Sequence, residues 1–472
     1  VWPIDSTTGR KRGGIRPSKI SLGSHLAGKV YYASPINYTV TGTTTVGVAL
    51  TGANGTSISA NAASWALHIS TAPGSLTFPN QASHAVYQGY LYQTYSGGAN
   101  VRRRDFVGGA EGTLTASAGT IPVGCGIVIP HVNRLWYLAD KANPHVYYAS
   151  KAGDPTDHDY TAVTSAGAFT STGAEGGKIG EPIHAAIAHN STCLLMGCAD
   201  STYMIPGDNP RNTGARQLSS NVGPLMNTAW CKDDAGNTWL ATRKGLYVIP
   251  AGTGSRPEAV SSGVIPNELL SIDPSAGDRV SVGYDHRWEG LQITINYNSG
   301  TDESFFFDLK DKGFWPQTFS TMPMAAVSFP KIQTDNNSAI VVFDDTAAHQ
   351  FKRDPEGIET GETRDSYVWI PIPIAAIDDE GILHSIVAAL AKDSADVNWA
   401  IHVGDTAEDA FNSTAAFTGT AWSYASGRYL NYRHFPRVRG AYAYIKVSDV
   451  SNNRWLLEQI VAEVVYAGGR RV

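Results

Sequence analysis

Five stretches of this chain repeat one pattern, and that repetition limits the fold more than any other feature. They are "RLWYLADKANPHVYYASKAGDP" (Arg134 to Pro155), "CLLMGCADSTYMIPGDNP" (Cys193 to Pro210), "NTWLATRKGLYVIP" (Asn237 to Pro250), "LQITINYNSGTDESFFFDL" (Leu291 to Leu309) and "AIVVFDDTAAHQFKRDP" (Ala339 to Pro355). Each has an apolar strand, a polar turn and a second strand centred on an aromatic: Tyr147, Tyr203, Tyr247, Phe306 and Phe351. The centres are 56, 44, 59 and 45 residues apart, bracketing the roughly 40–50 residues of known propeller blades. Hairpins recurring without a helical period predict an all-β chain whose main body, residues 126–365, is a β-propeller of about six blades.

The rest of the chain has a different texture. Between Val30 and Val101 there is no Asp, Glu, Lys or Arg, and "YTVTGTTTVGVALTGANGTSISANAASWALHIS" alternates in the manner of paired strands. Trp65, Leu67, Tyr87, Tyr90, Tyr92 and Tyr95 supply apolar area that a disordered low-complexity segment lacks. Residues 35–125 are therefore expected to form a β-sandwich with the rhythm of a fibronectin type III repeat, inserted in or appended to the propeller. Residues 1–34 are read as a basic arm (Arg10, Lys11, Arg12, Arg16) plus a strand, "GKVYYAS", that joins the propeller. Residues 366–472 are read as a C-terminal β-rich module, in which "VNWAIHVGDTAEDAFN" gives a strand and then a short helix capped near Asp405 or Thr406.

Charge narrows the partners. The chain of 472 residues has a net charge of −6 and only 17% charged residues. Residues 1–125 hold nine Lys or Arg against three acids, which leaves about −12 for the remainder. Such a balance gives no global attraction for nucleic acid or an anionic membrane. The longest apolar run, "VWIPIPIAAI" (Val368 to Ile377), is too short and proline-interrupted to span a bilayer.

Candidate chemistry is sparse. Cys125, Cys193, Cys198 and Cys231 lack zinc-site spacing and read as buried thiols. His184 and His189, five apart on a presumed strand, point to opposite faces, and Asp157-His158-Asp159 reads as a polar turn. "GAEGGKIG" (Gly173 to Gly180) lacks the Ser or Thr that follows a phosphate-loop lysine. The run Arg102-Arg103-Arg104 reads as a loop patch, solvated or touching another subunit. No catalytic, cofactor or metal residues are assigned.

Asp234-Ala235-Gly236-Asn237-Thr238-Trp239 resembles the Asp-x-Gly-x-Thr-Trp core of the Asp-box, a hairpin signature of sialidases and related glycosidases. Here Lys232 replaces its leading Ser, and Asp234, Gly236 and Trp239 are expected to shape and anchor one blade hairpin. Hydrolysis of sugars requires paired carboxylates, or an arginine cluster with a tyrosine. Arg134, Arg211, Arg216, Arg243, Arg279 and Arg287 are scattered without local spacing that unites any three.

Taken together, "NRLWYLADKANPHVYYASKAGDP", "IGEPIHAAIAHNSTCLLMGCADSTYMIPGD", "AWCKDDAGNTWLATRKGLYVIP" and "GFWPQTF" resemble the propeller-containing tail nozzle, or tail-tube distal, proteins of short-tailed bacteriophages. The resemblance covers most of 126–365. It implies a non-enzymatic virion protein without cofactors, assembled in the host cytoplasm. It further implies a six-fold ring below the portal and adaptor that also meets tail fibre or spike proteins and lets duplex DNA pass. A wall poor in Lys and Arg suits that passage. Two other readings remain open: a propeller that recognises a host or virion partner, and a sialidase-like glycosidase.

Overall fold

The computed structural model describes residues 15–18, 30–40, 42–59, 66–74, 76–172, 179–207, 211, 214–252, 254–260, 267–286, 289–298, 302–316, 325–328, 340–342, 350–353, 367–374, 379–390, 394, 396–420, 433–449, 455 and 457–469. Arg10, Lys11, Arg12, Lys178 and Arg287 lie outside the described residues. The chain divides into two compact units, residues 17–352 and residues 1–16 with 353–472.

The larger unit is a series of four-stranded antiparallel meanders, each built from strands consecutive in sequence. Blade 1 runs from Val30–Val40 to Ala66–Ile69, blade 2 from Ala82–Tyr87 to Glu111–Thr113, and blade 3 from Cys125–His131 to Phe169–Thr170. Blade 4 runs from Ile183–Asn190 to Arg216–Ser219, blade 5 from Trp230–Lys232 to Glu258–Ala259, and blade 6 from Arg279–Asp285 to Phe314–Pro316. A two-stranded sheet, Ala326–Ser328 with Ile340–Val342, packs against the first strand of blade 6 and the first strand of blade 1, so the series closes into a ring. This is a β-propeller. Ile15–Ser18 pairs with Gln350–Arg353 in a further two-stranded sheet.

Residues 35–125, expected as a β-sandwich inserted in or appended to the propeller, lie in two four-stranded sheets, blades 1 and 2, of the same compact unit. Their sheets do pack face to face, through Ile36, Ala49, Ile58, Ile69 and Leu91. Blade 2 also packs its other face on blade 3, through Tyr92, Leu114, Val128, Leu135 and Tyr137. The same succession continues around the ring, with one apolar cluster between blades 3 and 4, one between 4 and 5 and one between 5 and 6.

Burial on both faces explains the wording of the inner strands. Cys125–His131 and Arg134–Asp140 are buried at nearly every position because a neighbouring blade covers each side. Tight turns join them: Gln88-Gly89 (φ 48° and 80°) and Val132-Asn133 (φ 40° and 58°) are two-residue loops with both central residues left-handed, matching the twist of the flanking strands.

The first strand of every blade is a sheet edge, so its outward N–H groups need partners from elsewhere. A neighbouring blade, the segment leading into it, or the two-stranded sheet supplies them. Val128 N donates to Ser83 Oγ at 2.7 Å, Ala186 N to Asn227 Oδ1 at 3.1 Å, Val282 N to the Thr228 carbonyl at 3.0 Å and Tyr284 N to Ser328 Oγ at 2.7 Å. Gly283 allows one of these approaches, since a Cβ there would lie 2.9 Å from Val327 N.

The second unit is a two-sheet β-sandwich. One sheet orders Tyr367–Pro373, Tyr442–Asp449, Val397–Gly404 and Phe417–Thr420; the other is built on Asp379–Leu390, which pairs with Leu457–Gly469, Arg433–His434 and Val438–Gly440. Val397–Gly404 alternates buried and half-buried residues, as one covered face demands. Val368, Leu383, Ile386, Trp399 and Ile445 fill the space between the sheets. The short helix Ala407–Asn412 follows, and Thr406 caps it, its Oγ1 accepting from Asp409 N at 3.1 Å.

Candidate functional site

The Asp-box-like hairpin lies in blade 5, between Trp230–Lys232 and Thr238–Thr242. Asp233, not the expected Asp234, shapes its turn. Asp233 Oδ1 accepts from Asn237 N at 2.8 Å, and Oδ2 accepts from Asn237 Nδ2 at 2.8 Å and from the Trp239 indole at 3.0 Å. Asp234 is exposed and pairs with His286 Nδ1 at 2.5 Å. Gly236 takes φ +82° to complete the turn, and its N–H donates to the Asp233 carbonyl. Trp239 is 7% exposed and packs against Phe307 of blade 6. Sequence spacing alone could not separate two adjacent aspartates, because either lies within reach of the turn amides.

Lys232, in the position of the box's leading Ser, donates from Nζ to the Ala188 carbonyl of blade 4. Burial depresses its pKa below the ordinary lysine value. The two histidines of blade 4 go to different neighbours. His184 packs edge-on against Phe78 at 4.9 Å, whereas His189 Nδ1 lies 2.7 Å from Thr238 Oγ1 of blade 5. Burial lowers the His184 pKa to about 4 and lowers that of His189 as well.

Asp157-His158-Asp159 disperses. Asp157 pairs with Lys151 at 3.0 Å, Asp159 caps Thr161, and the buried His158 ring lies between the Pro155 carbonyl and Tyr160 Oη. Among the described residues no three His, Cys, Asp or Glu side chains form a group suited to a metal ion. All four cysteines are buried and unpaired with one another. Burial pushes the Cys193 thiol up to about 11 and the Cys198 thiol up to about 12, so both are poor nucleophiles at neutral pH.

The arginine run is a correction too. Arg102–Asp105 is the third strand of blade 2 rather than a loop. Its alternation sends Arg102 to Glu111 (3.0 Å) and Arg104 to the His68 carbonyl of blade 1 (2.7 Å), while Arg103 lies over the Tyr90 ring. Glu111 also accepts from Ser70 N, Ser70 Oγ and Thr71 Oγ1. Burial opposes its ionisation, yet the hydrogen bonds from Ser70, Arg102 and Thr71 outweigh it and hold the carboxyl at about 2.

Three of the scattered arginines likewise end on backbone. Arg134, 1% exposed, donates to the carbonyls of Ser150, Gly167 and Ser165, all at 2.7 Å. Arg211 reaches the Ala168 carbonyl of blade 3. Arg279, at the start of blade 6, donates to the carbonyls of Val30 and Leu76 and lies over the Tyr31 ring at 4.8 Å. Around Arg279 a small pocket forms where several first strands begin, lined by Asn80, Gln81, Asn227, Thr228 and Asp278 together with apolar Val30, Phe78, Met226 and Val280. Its volume is about 40 Å³, room for a water-sized group.

Among the described residues no helix is long and apolar enough to cross a membrane.

No family model and no curated protein matches the chain. Among solved structures it is similar to an extracellular domain from B. thetaiotaomicron described as that of a one component system, at 12% identity and TM-score 0.46, covering 80% of this chain. The chain spans only 43% of that domain's length. A streptogramin B lyase (10% identity, TM-score 0.44, 72% of this chain and 97% of that one) is also similar. So is the β-propeller domain of Cps50 (Swd1) from Myceliophteria thermophila (10%, 0.44, 72% and 100%). The propeller architecture itself rests on the closed series of meanders described above.

Proposed function

We propose that this chain is a non-enzymatic structural protein of a bacteriophage tail, a nozzle subunit that works as a ring, six-fold by the resemblance, and conducts duplex DNA during ejection. The observation that carries this reading is the use of the propeller's polar side chains. Arg134, Arg279, His189, Lys232 and Asp233, the types a hydrolase would turn toward substrate, each brace backbone or a neighbouring blade. A ring so braced resists deformation while a polymer moves past it. The hairpin wording of 126–365 and the acidic balance after residue 125 support the same reading. The adaptor above and the fibre or spike proteins beside it are the partners that the nozzle role requires, in the virion tail.

Electron microscopy and native mass spectrometry of the purified full chain test this directly. The expected result is a six-membered ring with a lumen wide enough for duplex DNA and weak DNA retention. A protein monomeric at every concentration tried overturns it in favour of a partner-recognising propeller. Release of a chromophore from an aryl glycoside by the pure protein overturns it in favour of a hydrolase.

A further inference from the structure

The outer face of the sandwich sheet in the second unit carries an arrangement that the propeller reading leaves unused. Register sets Trp369, Lys446, Ala400 and Thr418 in one row across the four strands, and Tyr367, Ser448 and Asn398 in the next. Ala400 and Ser448 are short, and over them opens a hollow of about 430 Å³, lined by Asn398, Ala400, Thr418, Lys446 and Ser448 among others. Beside it stand two aromatic rings on the solvent side of the sheet. Tyr367 is 43% exposed. Trp369 is held in place by His402, Phe411 and Tyr444, with ring centroids at 4.7, 4.9 and 6.1 Å.

Two polar groups at the hollow lack a polar partner among the described residues. Asn398 Oδ1 is buried and has no hydrogen-bond partner, a costly state for an amide oxygen. Lys446 Nζ lies 4.7 Å from the Tyr367 centroid and 5.5 Å from that of Trp369, and among the described residues no carboxylate pairs with it.

We infer that this face is a binding site for an acidic saccharide, independent of the nozzle reading. The flat C–H face of a sugar ring suits an aromatic platform whose tilt is already fixed. Hydroxyls suit Asn398, Ser448 and Thr418, which an apolar occupant would leave unsatisfied. A sugar carboxylate suits the single unpaired ammonium. A nucleic acid would require several cations, whereas Lys446 is the one cation among the lining residues.

Calorimetric titration of the full chain with hexagalacturonate, sialyllactose and neutral cellohexaose tests the site. At least one acidic saccharide is expected to bind about tenfold more tightly than cellohexaose, and Lys446→Gln should remove that preference. Trp369→Ala should weaken binding about tenfold or more. Ala400→Phe, on the solvent face and filling the floor of the hollow, should block binding while leaving the thermal melt unchanged, which separates loss of the site from loss of the fold. The inference is overturned if neither acidic saccharide binds, if Ala400→Phe binds as well as the parent, or if duplex DNA displaces the sugar at equal phosphate and carboxylate concentrations.

Discussion

Between blades 5 and 6 lie Trp239, Leu246, Val282, Leu291, Ile293, Phe305 and Phe307 with further apolar neighbours, whereas the apolar set between blades 1 and 2 is Ile36, Ala49, Ile58, Ile69 and Leu91. Beside that smaller set runs a buried hydrogen-bonded file. Ser34 Oγ meets His84 Nε2 at 2.8 Å, His84 Nδ1 meets Thr51 Oγ1 at 2.7 Å, Thr51 meets Thr56 at 2.8 Å, Thr56 donates to Gln93 Oε1 at 2.7 Å, and Gln93 Nε2 donates to the Thr71 carbonyl at 2.9 Å. One architecture is thus held by hydrocarbon at one seam and partly by polar bookends at another. Hydrocarbon tolerates small shifts, whereas a buried polar file is stabilising only when every member is satisfied.

The largest effect should come from the hydrocarbon seam. Trp239→Ala removes a buried indole that also donates to Asp233, and denaturant unfolding should show a loss of about 3–5 kcal/mol. A loss below about 1 kcal/mol would mean that the ring is not part of the core, and the contrast would collapse.

At the polar seam, Thr51→Val leaves His84 and Thr56 without their shared hydroxyl, and should cost about 1–3 kcal/mol despite equal volume. The fold should also respond to acid, at this seam through His84 and His68 and elsewhere through other buried histidines. Burial depresses His84 to about 3, and His68, His131, His158 and His184 to about 4. For a base whose folded pKa is lowered, the unfolded chain binds protons first. Stability is therefore full above the unfolded value of about 6.5 and falls as the pH drops toward the folded values. Melting temperatures taken between pH 7 and 4.5 should decline, and Trp239→Ala should keep the slope while lowering the curve. A flat profile over that range would refute the buried neutral histidines.

Glu111 gives a smaller and lower window. Its folded pKa near 2 lies below the unfolded carboxylate, so its contribution is present above about 4.3 and is lost between there and 2. Glu111→Gln should cost about 1 kcal/mol at neutral pH, with the difference from the parent vanishing in strong acid. The smallest effects sit on the blade 5 turn: Asp233→Ala should destabilise measurably, while the exposed Asp234→Ala should stay within about 0.5 kcal/mol. Equal losses at the two positions would return the turn to Asp234.

The two seams also differ in how plainly the sequence announces them. In Leu291–Asn296 the apolar Leu291, Ile293 and Ile295 alternate with polar residues and face blade 5, and Phe305–Phe307 adds an apolar run, so these strands read as blade strands from their own pattern. Residues 35–125 read as an inserted or appended sandwich from their charge-free alternation, and the burial of Thr51, Thr56 and Gln93 between the sheets was not legible, because these residues look like surface residues until a facing blade satisfies them. The arginine run misled for the same reason: its charges are matched by Glu111, a backbone carbonyl and a ring brought close only by folding. The Thr406 cap and its helix were legible because that motif is local. The saccharide-type face was not, since its residues come from four strands and meet only through register.

The hydrogen bonds from Arg279 to the carbonyls of Val30 and Leu76 have a kinetic meaning as well. Every four-stranded sheet of the ring pairs strands consecutive in the chain, so a blade can form as soon as its own residues are available. The contact between Arg279 and Val30, separated by 249 residues, cannot form until five blades and the start of the sixth have been made. Loop closure over such a length costs little more than over a shorter one once the intervening blades are stacked, but it must come last. Until then blade 1 keeps one face bare. The most vulnerable moment in this protein's synthesis is therefore the interval between completing its first sheet and covering that face with its last.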